Sequence, residues 1–180
     1  MQPSGGSILT TLGVRTARFP RRLRGERLSL RLRSPADLWR LPPLTTPEFM
    51  KAVSARPLRS PSALSFWLRV RRTYPVCYVI ERPEESMPLG FLGLYDIRPG
   101  ESLFFSMGFF RPGDRRRGFG REALSILLGH VGSRGIVRTV RAEMPPDKHD
   151  SIALLRSMGF RKAAEEGGKV VMERGPLSGR

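Results

Sequence analysis

The residues best suited to chemistry stand together at Arg115 to Arg121, as R-R-R-G-F-G-R. Glycine lacks a Cβ, so the backbone at Gly118 and Gly120 can be approached by the oxygens of a diphosphate, and both residues tolerate the positive φ that a phosphate cradle uses. Arg115, Arg116, Arg117 and Arg121 surround that backbone with cations. Helical spacing follows at once, with Ala123, Leu124, Leu127, Leu128 and Val131 on one face. The open amides and positive dipole end of such a helix attract anions. Anion binding at a strand-to-helix loop is therefore the expected chemistry. Two further readings of these residues stay open. One is a solvated basic turn. The other is a dinucleotide-binding unit, since Gly118, Gly120 and Ala123 fit G-x-G-x-x-A and Glu143 ends the next extended run. Against the latter, R-P-G-D-R-R-R separates the glycines from the preceding strand, and too few residues follow Glu143 for the remaining crossovers.

The elements that must position this loop can be read from period. From Arg27, Leu28, Leu30 and Leu32 alternate with polar residues as in a half-buried strand. Ser34 as N-cap, Pro35 at the first helical position and Asp37 three residues after the cap predict a helix. Leu41 to Pro61 reads as irregular, and a second cap at Ser60 before Pro61 opens a helix whose Leu64, Trp67 and Leu68 are expected in the core. Val76–Arg82, Leu89–Ile97 and Ser102–Phe110 predict an antiparallel meander. The loop and its helix to Ser133 follow, then a strand at Val137–Glu143, a short helix at Ser151–Met158 ended by Gly159, and a hairpin over Phe160–Arg174 turning at Gly167 and Gly168. Residues 1–25 are expected to form a flexible Arg-rich arm, 26–174 one domain, and 175–180 a disordered tail.

Composition bounds the function. A chain of 180 residues and 20.3 kDa suits one core. No apolar run approaches the ~20 residues of a membrane helix, so membrane insertion is not expected. Cys77 lies in apolar V-C-Y-V-I and reads as a core residue. With no signal-peptide core near the N-terminus, a cytoplasmic location is expected, although the acid-free leader also resembles a transit peptide. His130 and His149 lack partners at metal-ligand spacing, so no metal is expected. The net charge of +16 favours anionic partners. Arginine supplies nearly all of it and is spread along the chain, a pattern that codon bias would also produce.

Four motifs in one order carry a resemblance. Arg115, Gly118 and Gly120 match [Q/R]-x-x-G-x-[G/A], and Phe110, Arg111 and Pro112 approximate a V-x-P before it. Glu26 to Arg31 reads E-R-L-S-L-R, and Ser151, Gly159 and Phe160 match S-x7-G-F. Over Glu26 to Glu173 the chain resembles the GNAT superfamily of N-acetyltransferases, most closely its RimJ/RimL-type branch. The resemblance implies an α/β (α+β) fold with a mixed, mostly antiparallel central sheet of six to seven strands and about four helices. It implies acetyl-CoA as co-substrate and direct attack of an amine on the thioester. Two parallel-like strands would part near Phe110 and Val140, with pantetheine along the strand ending at Phe110 and pyrophosphate held by Arg115, Arg116, Arg117, Gly118, Phe119, Gly120 and Arg121.

Ser151 is the expected acid for the leaving thiolate, with the N-cap of its helix as the other reading of that serine. Lys148 and Leu155 stand where the family often has Asn and Tyr. Glu101 is the expected base, with Asp96 and Glu143 as further carboxylates. The acceptor would be a protein N-terminus or a small-molecule amine. A basic RNA- or ribosome-associated protein that keeps the fold without activity is the alternative, and homodimerisation and weak polyanion association accompany these expectations.

Overall fold

The computed structural model describes residues 18–53, 62–83 and 87–177, with the side chains of 51 and 52 excepted. Its elements are β1 (Arg22–Arg24), β2 (Ser29–Leu32), α1 (Asp37–Arg40), α2 (Pro47–Val53), α3 (Ala63–Thr73), β3 (Val76–Glu81), β4 (Gly90–Arg98), β5 (Ser102–Phe109), α4 (Phe119–Ser133), β6 (Thr139–Met144), α5 (His149–Ser157), β7 (Arg161–Glu166) and β8 (Lys169–Arg174), with 3-10 turns at Pro42–Leu44 and Pro112–Asp114. The strands form one sheet in the order β1-β2-β3-β4-β5-β6-β8-β7. Only β5 and β6 run parallel; every other neighbouring pair is antiparallel.

Period-two alternation sends side chains to two faces, and each face has its own core. Leu30, Tyr78, Ile80, Leu92, Leu94, Leu103 and Val140 meet Leu124, Leu127 and Val131 of α4 and Leu155 of α5. On the other face Cys77, Val79 and Phe91 meet Phe49 of α2 and Phe66, Trp67 and Val70 of α3. The helices cover β2 to β5 on that second face. Beyond them, on β6 and β8, it is mostly charged, with Arg141, Glu143, Lys169 and Glu173 beside Thr139 and Val171.

The central geometric feature is where β5 and β6 stop pairing. Their register runs only from Ser102↔Thr139 through Phe104↔Arg141. Beyond those residues β5 stays bonded to β4 as far as Phe109, while β6 stays bonded to β8 as far as Met144. A wedge therefore opens from Phe105 and Ala142 onward. The family resemblance implied a parting near Phe110 and Val140; Val140 is still paired with Leu103, and on β5 the pairing ends at Phe104, well before Phe110.

Several expectations are adjusted. There are eight strands rather than six or seven, because Arg22–Arg24, expected in the arm, pairs antiparallel with Ser29–Arg31. Its single apolar residue, Leu23, gives no readable period. Phe19 is buried ahead of it, and the Tyr78 hydroxyl donates to the Pro20 carbonyl at 3.1 Å. Residues 1–17 and the expected cap Ser60 lie outside the described residues. The cap seen for α3 is Ser62, whose hydroxyl accepts from the Ser65 amide. Of the three core residues expected there, Trp67 is buried, while Leu64 and Leu68 are 40% and 42% exposed. The tail is held at least to Leu177, whose amide donates to the Arg138 carbonyl at 2.8 Å. No helix among the described residues is long and apolar enough to cross a membrane.

Ser34 does not cap α1 by its hydroxyl accepting. Instead its amide donates to Asp37 Oδ2 at 2.8 Å, and Arg31 grips both Asp37 oxygens at 2.9 Å while also bonding Glu81 at 2.8 Å. Asp37 is 1% exposed. Burial by itself would raise its pKa, but the Arg31 and Ser34 hydrogen bonds outweigh burial and hold it below the ordinary carboxylate value. Because the folded pKa is depressed, this pair's contribution is full above about pH 4 and fades as pH falls through the folded value. Asp37→Ala is expected to lower stability by about 3 kcal/mol at pH 7, since it leaves Arg31 short of its main partner. Denaturant melts should show the penalty shrinking towards acid pH; a pH-independent penalty would disprove the electrostatic account.

Candidate functional site

The candidate loop begins where β5 ends. The Phe110 amide donates to the Leu89 carbonyl at 2.8 Å, and its ring is buried against Phe49 and Trp67 at 5.1 and 6.0 Å between centroids. Phe110 can therefore serve a ligand only through its backbone. Arg111 closes the Pro112–Asp114 turn with a 2.9 Å bond from Nε to Asp114. Arg116 and Gly118 then take positive φ, 59° and 82°. Gly118, the N-cap of α4, has ψ near −5° and so lies in the left-handed region, where a side chain would be strained. The first α4 amide with a backbone acceptor is Glu122, bonded to the Gly118 carbonyl at 3.1 Å. The amides of Phe119, Gly120 and Arg121 precede it and emerge from the helix end.

Glu122 locks this end to the start of β2. Its Oε1 accepts from the Arg27 and Leu28 amides at 2.6 and 2.9 Å, and its Oε2 accepts from Arg27 Nε at 2.9 Å. Phe119 is buried beneath, with the guanidinium carbons of Arg27, Arg82 and Arg117 at 5.3, 5.9 and 5.2 Å from its ring centre. That ring is a support, so Phe119 offers a ligand its amide. A Cβ on Gly120 would lie 3.3 Å from Leu154 and from Met107, so the missing side chain lets α4, α5 and β5 converge.

Charge ties the loop to α5. Arg116 bonds Asp150 and Arg121 bonds Ser157, at 2.9 and 2.6 Å. The hydrogen bond from Arg116 holds the Asp150 carboxyl below its ordinary value. Arg115 and Arg117 remain exposed along the loop. Ser151 is not the cap of α5; Lys148 holds that position and makes no side-chain cap bond. Ser151 shares the helical stripe of Leu155 and Met158, both buried, but is itself exposed one turn ahead of them. Ser151 therefore lies in the first turn of α5, the end of the helix that follows β6. Leu155, standing at the family's tyrosine position, is core at 3% exposure.

Glu101 is not brought to this site. It lies in the turn before β5, where its carbonyl accepts from the Arg138 and Thr139 amides. That is the closed end of the wedge, the length of β5 or about 25 Å from the loop. Asp96 pairs with Arg98 on β4. The structure assembles instead a group that sequence reasoning left apart. On the face away from α4, the Tyr74 ring lies flat on Gly93, where a Cβ would come within 2.5 to 2.8 Å of three ring atoms.

Tyr74 is hydrogen-bonded to Ser106, the second residue after β5 leaves β6, and Tyr95 packs against it at 5.7 Å. Burial raises the pKa of both phenols and Glu143 raises it further, so both stay protonated. The readable signal was Gly93, since a glycine inside a strand marks a close approach. No cluster of three or more His, Cys, Asp or Glu suited to a metal occurs among the described residues.

These features agree with comparisons to known proteins. A family model described as an acetyltransferase (GNAT) domain matches residues 27–161. The fold is similar to an acetyltransferase (GNAT family) from Bacillus anthracis at 13% identity and TM-score 0.67, covering 86% of this chain and 98% of that one. It is similar to the RimL ribosomal alpha-N-protein acetyltransferase, solved with coenzyme A, at 17% identity and TM-score 0.70, covering 86% and 97%. It also matches spermidine N-acetyltransferase from Vibrio cholerae, in complex with CoA and spermine, at 17% identity and TM-score 0.67, covering 84% and 97%. No curated protein sequence matches the chain.

The Glu122 lock yields a test. Glu122→Ala leaves two backbone donors and Arg27 without their acceptor and is expected to cost about 1–3 kcal/mol. Glu122→Gln keeps an acceptor oxygen for the amides and should cost less. Equal melting temperatures for wild type and both variants would show that the lock does not hold the loop.

Proposed function

Because the chain belongs to the acetyltransferase (GNAT) family, we propose that it transfers the acetyl group of acetyl-CoA to a primary amine, on a protein N-terminus or a small molecule. The observation that carries this reading is the open amide end of α4, capped by left-handed Gly118, beside strands β5 and β6 that part after Phe104 and Arg141. The residues present fit the co-substrate. A diphosphate needs backbone donors, close approach and cations, and the loop supplies the amides ahead of Glu122, Gly118 and Gly120, and Arg115 and Arg117. An extended pantetheine arm needs free strand edges, and β5 past Phe104 offers its β6-facing edge.

Acetyl-CoA brings an activated acyl group, so the protein's task is to orient it and manage protons. Backbone donors along the free edge of β5 are suited to polarising the thioester carbonyl. We assign Ser151 to the thiolate side, because it is exposed in the first turn of α5, shortly after β6 ends, and Leu155 has no proton to give. For the base, Glu143 replaces Glu101 in this reading: it stands on β6 two residues past the last pair with β5, whereas Glu101 is at the closed end. The E-R-L-S-L-R start and the placement of Ser151 favour the RimJ/RimL-type branch within the family.

Saturating acetyl-CoA should raise the melting temperature, since a ligand confined to the folded state stabilises it. Gly120→Leu should abolish the rise by driving a side chain into Leu154 and Met107. Ser151→Ala should keep the rise and slow CoA release roughly ten-fold or more. A wild-type melting temperature indifferent to acetyl-CoA would sink the reading, and undiminished release from Ser151→Ala would remove that residue from it.

A further inference from the structure

On the face opposite α4 the wedge opens beside a lysine. Glu143 extends from β6 at the level where the strands separate, and Lys169 of β8 places its Nζ 2.8 Å from Glu143 Oε1. Each side chain is 33% exposed. Glu143 shares its face of β6 with Arg141, whose guanidinium lies over the Phe104 ring at 6.0 Å, and Phe104 packs against Tyr95 at 5.5 Å, so the carboxylate stands on the aromatic side of the sheet. A primary amine is thus held by a carboxylate at the mouth of the wedge.

Lysine is scarce in this chain. Cations are overwhelmingly arginine, and only Lys51, Lys148, Lys162 and Lys169 carry a primary side-chain amine. Lys162 lies on β7, the outermost strand, paired with Glu165. Lys148 begins α5 on the other face, and Lys51 lies on α2. Among the described residues, Lys169 is the lysine joined to a carboxylate at the parting of β5 and β6. An arginine there would make the same ion pair but could not serve as an acyl acceptor, because its guanidinium stays protonated.

We propose that Lys169 is a site of self-acetylation and that its modification uncovers Glu143. The inference rests on the acetyl-CoA reading above. Glu143 takes a proton from the Lys169 ammonium, and the freed lone pair attacks the thioester carbonyl carbon. A nitrogen–carbon bond forms, the carbon–sulfur bond breaks, and its electron pair leaves on sulfur. Of the two protons nitrogen sheds, one ends on the CoA thiol and the other in solvent. The product amide carries no charge, so the ion pair is lost and the Glu143 carboxylate becomes available to an incoming amine. The flexible four-carbon stem of lysine allows Nζ to swing from Glu143 into the wedge. Held at such a site, it reacts at an effective concentration far above any lysine in free solution.

The test uses the full chain incubated with acetyl-CoA and followed by intact mass and peptide mapping, alongside the acetyl-CoA melting shift. One acetyl group is expected, on Lys169. Lys169→Arg should abolish it, and Glu143→Gln should slow it roughly ten-fold or more by removing the base. Both variants should keep the melting shift, which separates a chemical effect from a folding defect. Acetyl groups appearing on Lys148 or Lys162 as fast as on Lys169, or equally in heat-unfolded protein, would show non-enzymatic modification and overturn the proposal. So would a full melting shift with no acetylation. A wild-type protein with no melting shift would instead bring down the acetyl-CoA reading itself.

Discussion

The parting of β5 from β6 is the constraint on which the site depends. Parallel strands normally exchange hydrogen bonds along their whole contact, yet here each is committed to an antiparallel neighbour on its outer side. β5 continues with β4 to Phe109 and β6 with β8 to Met144. Right-handed sheet twist then rotates the two halves relative to each other. Backbone donors and acceptors on the inner edges, which would cost free energy if buried without partners, are left for a ligand with amides of its own. The same parting sets the loop's position, because the chain leaving β5 must turn through Pro112–Asp114 before it can enter α4 across the sheet.

Holding such an opening requires rigid borders, and the arginine-rich sequence supplies them by pairing charge locally. Arg27 with Glu122 joins β2 to α4, Arg31 with Asp37 and Glu81 joins β2 to α1 and β3, and Arg116 with Asp150 joins the loop to α5. These pairs are not equivalent. Asp37 is almost wholly buried and doubly bonded, so its loss leaves the partly buried Arg31 with Glu81 as its one remaining carboxylate. Arg116 and Asp150 are both about four-fifths exposed, and water screens them enough that the pair orients the loop more than it stabilises the fold.

Much of this was legible because the local signals agree with the global packing. The meander, α4 and the final hairpin follow from period and turn residues, and the loop from Gly118 and Gly120 beside four arginines. What escaped was information carried by pairing between distant segments. Arg22–Arg24 is a strand only because Ser29–Arg31 lies beside it. The parting of β5 and β6 depends on which neighbour each strand prefers, and periodicity contains no pairing register. Glu101 stood out as a carboxylate in a turn near a meander strand. Its position at the closed end depends on strand direction relative to β6, which no single segment reveals. Leu64 and Leu68 fit a helical spacing, but the helix turns Phe66, Trp67 and Val70 inward instead.

The two faces of the sheet divide the electrostatic labour. The loop face offers unpaired amides and cations for a polyanionic co-substrate. The opposite face near the wedge carries Glu143, with neutral phenols at Tyr74 and Tyr95 beside it and Lys169 bonded to it. Arg141 is neutralised there by Glu173. Local attraction for an ammonium thus comes down to one carboxylate that an internal ammonium already satisfies. Against a net charge of +16, a polycationic acceptor would meet long-range repulsion and then have to displace Lys169 to gain one ion pair. An amine on a neutral or acidic body meets no such barrier, and neutralising Lys169 lowers the local barrier for either. Acetylation of Lys169, as proposed, would remove its ammonium from competition with an incoming amine for Glu143.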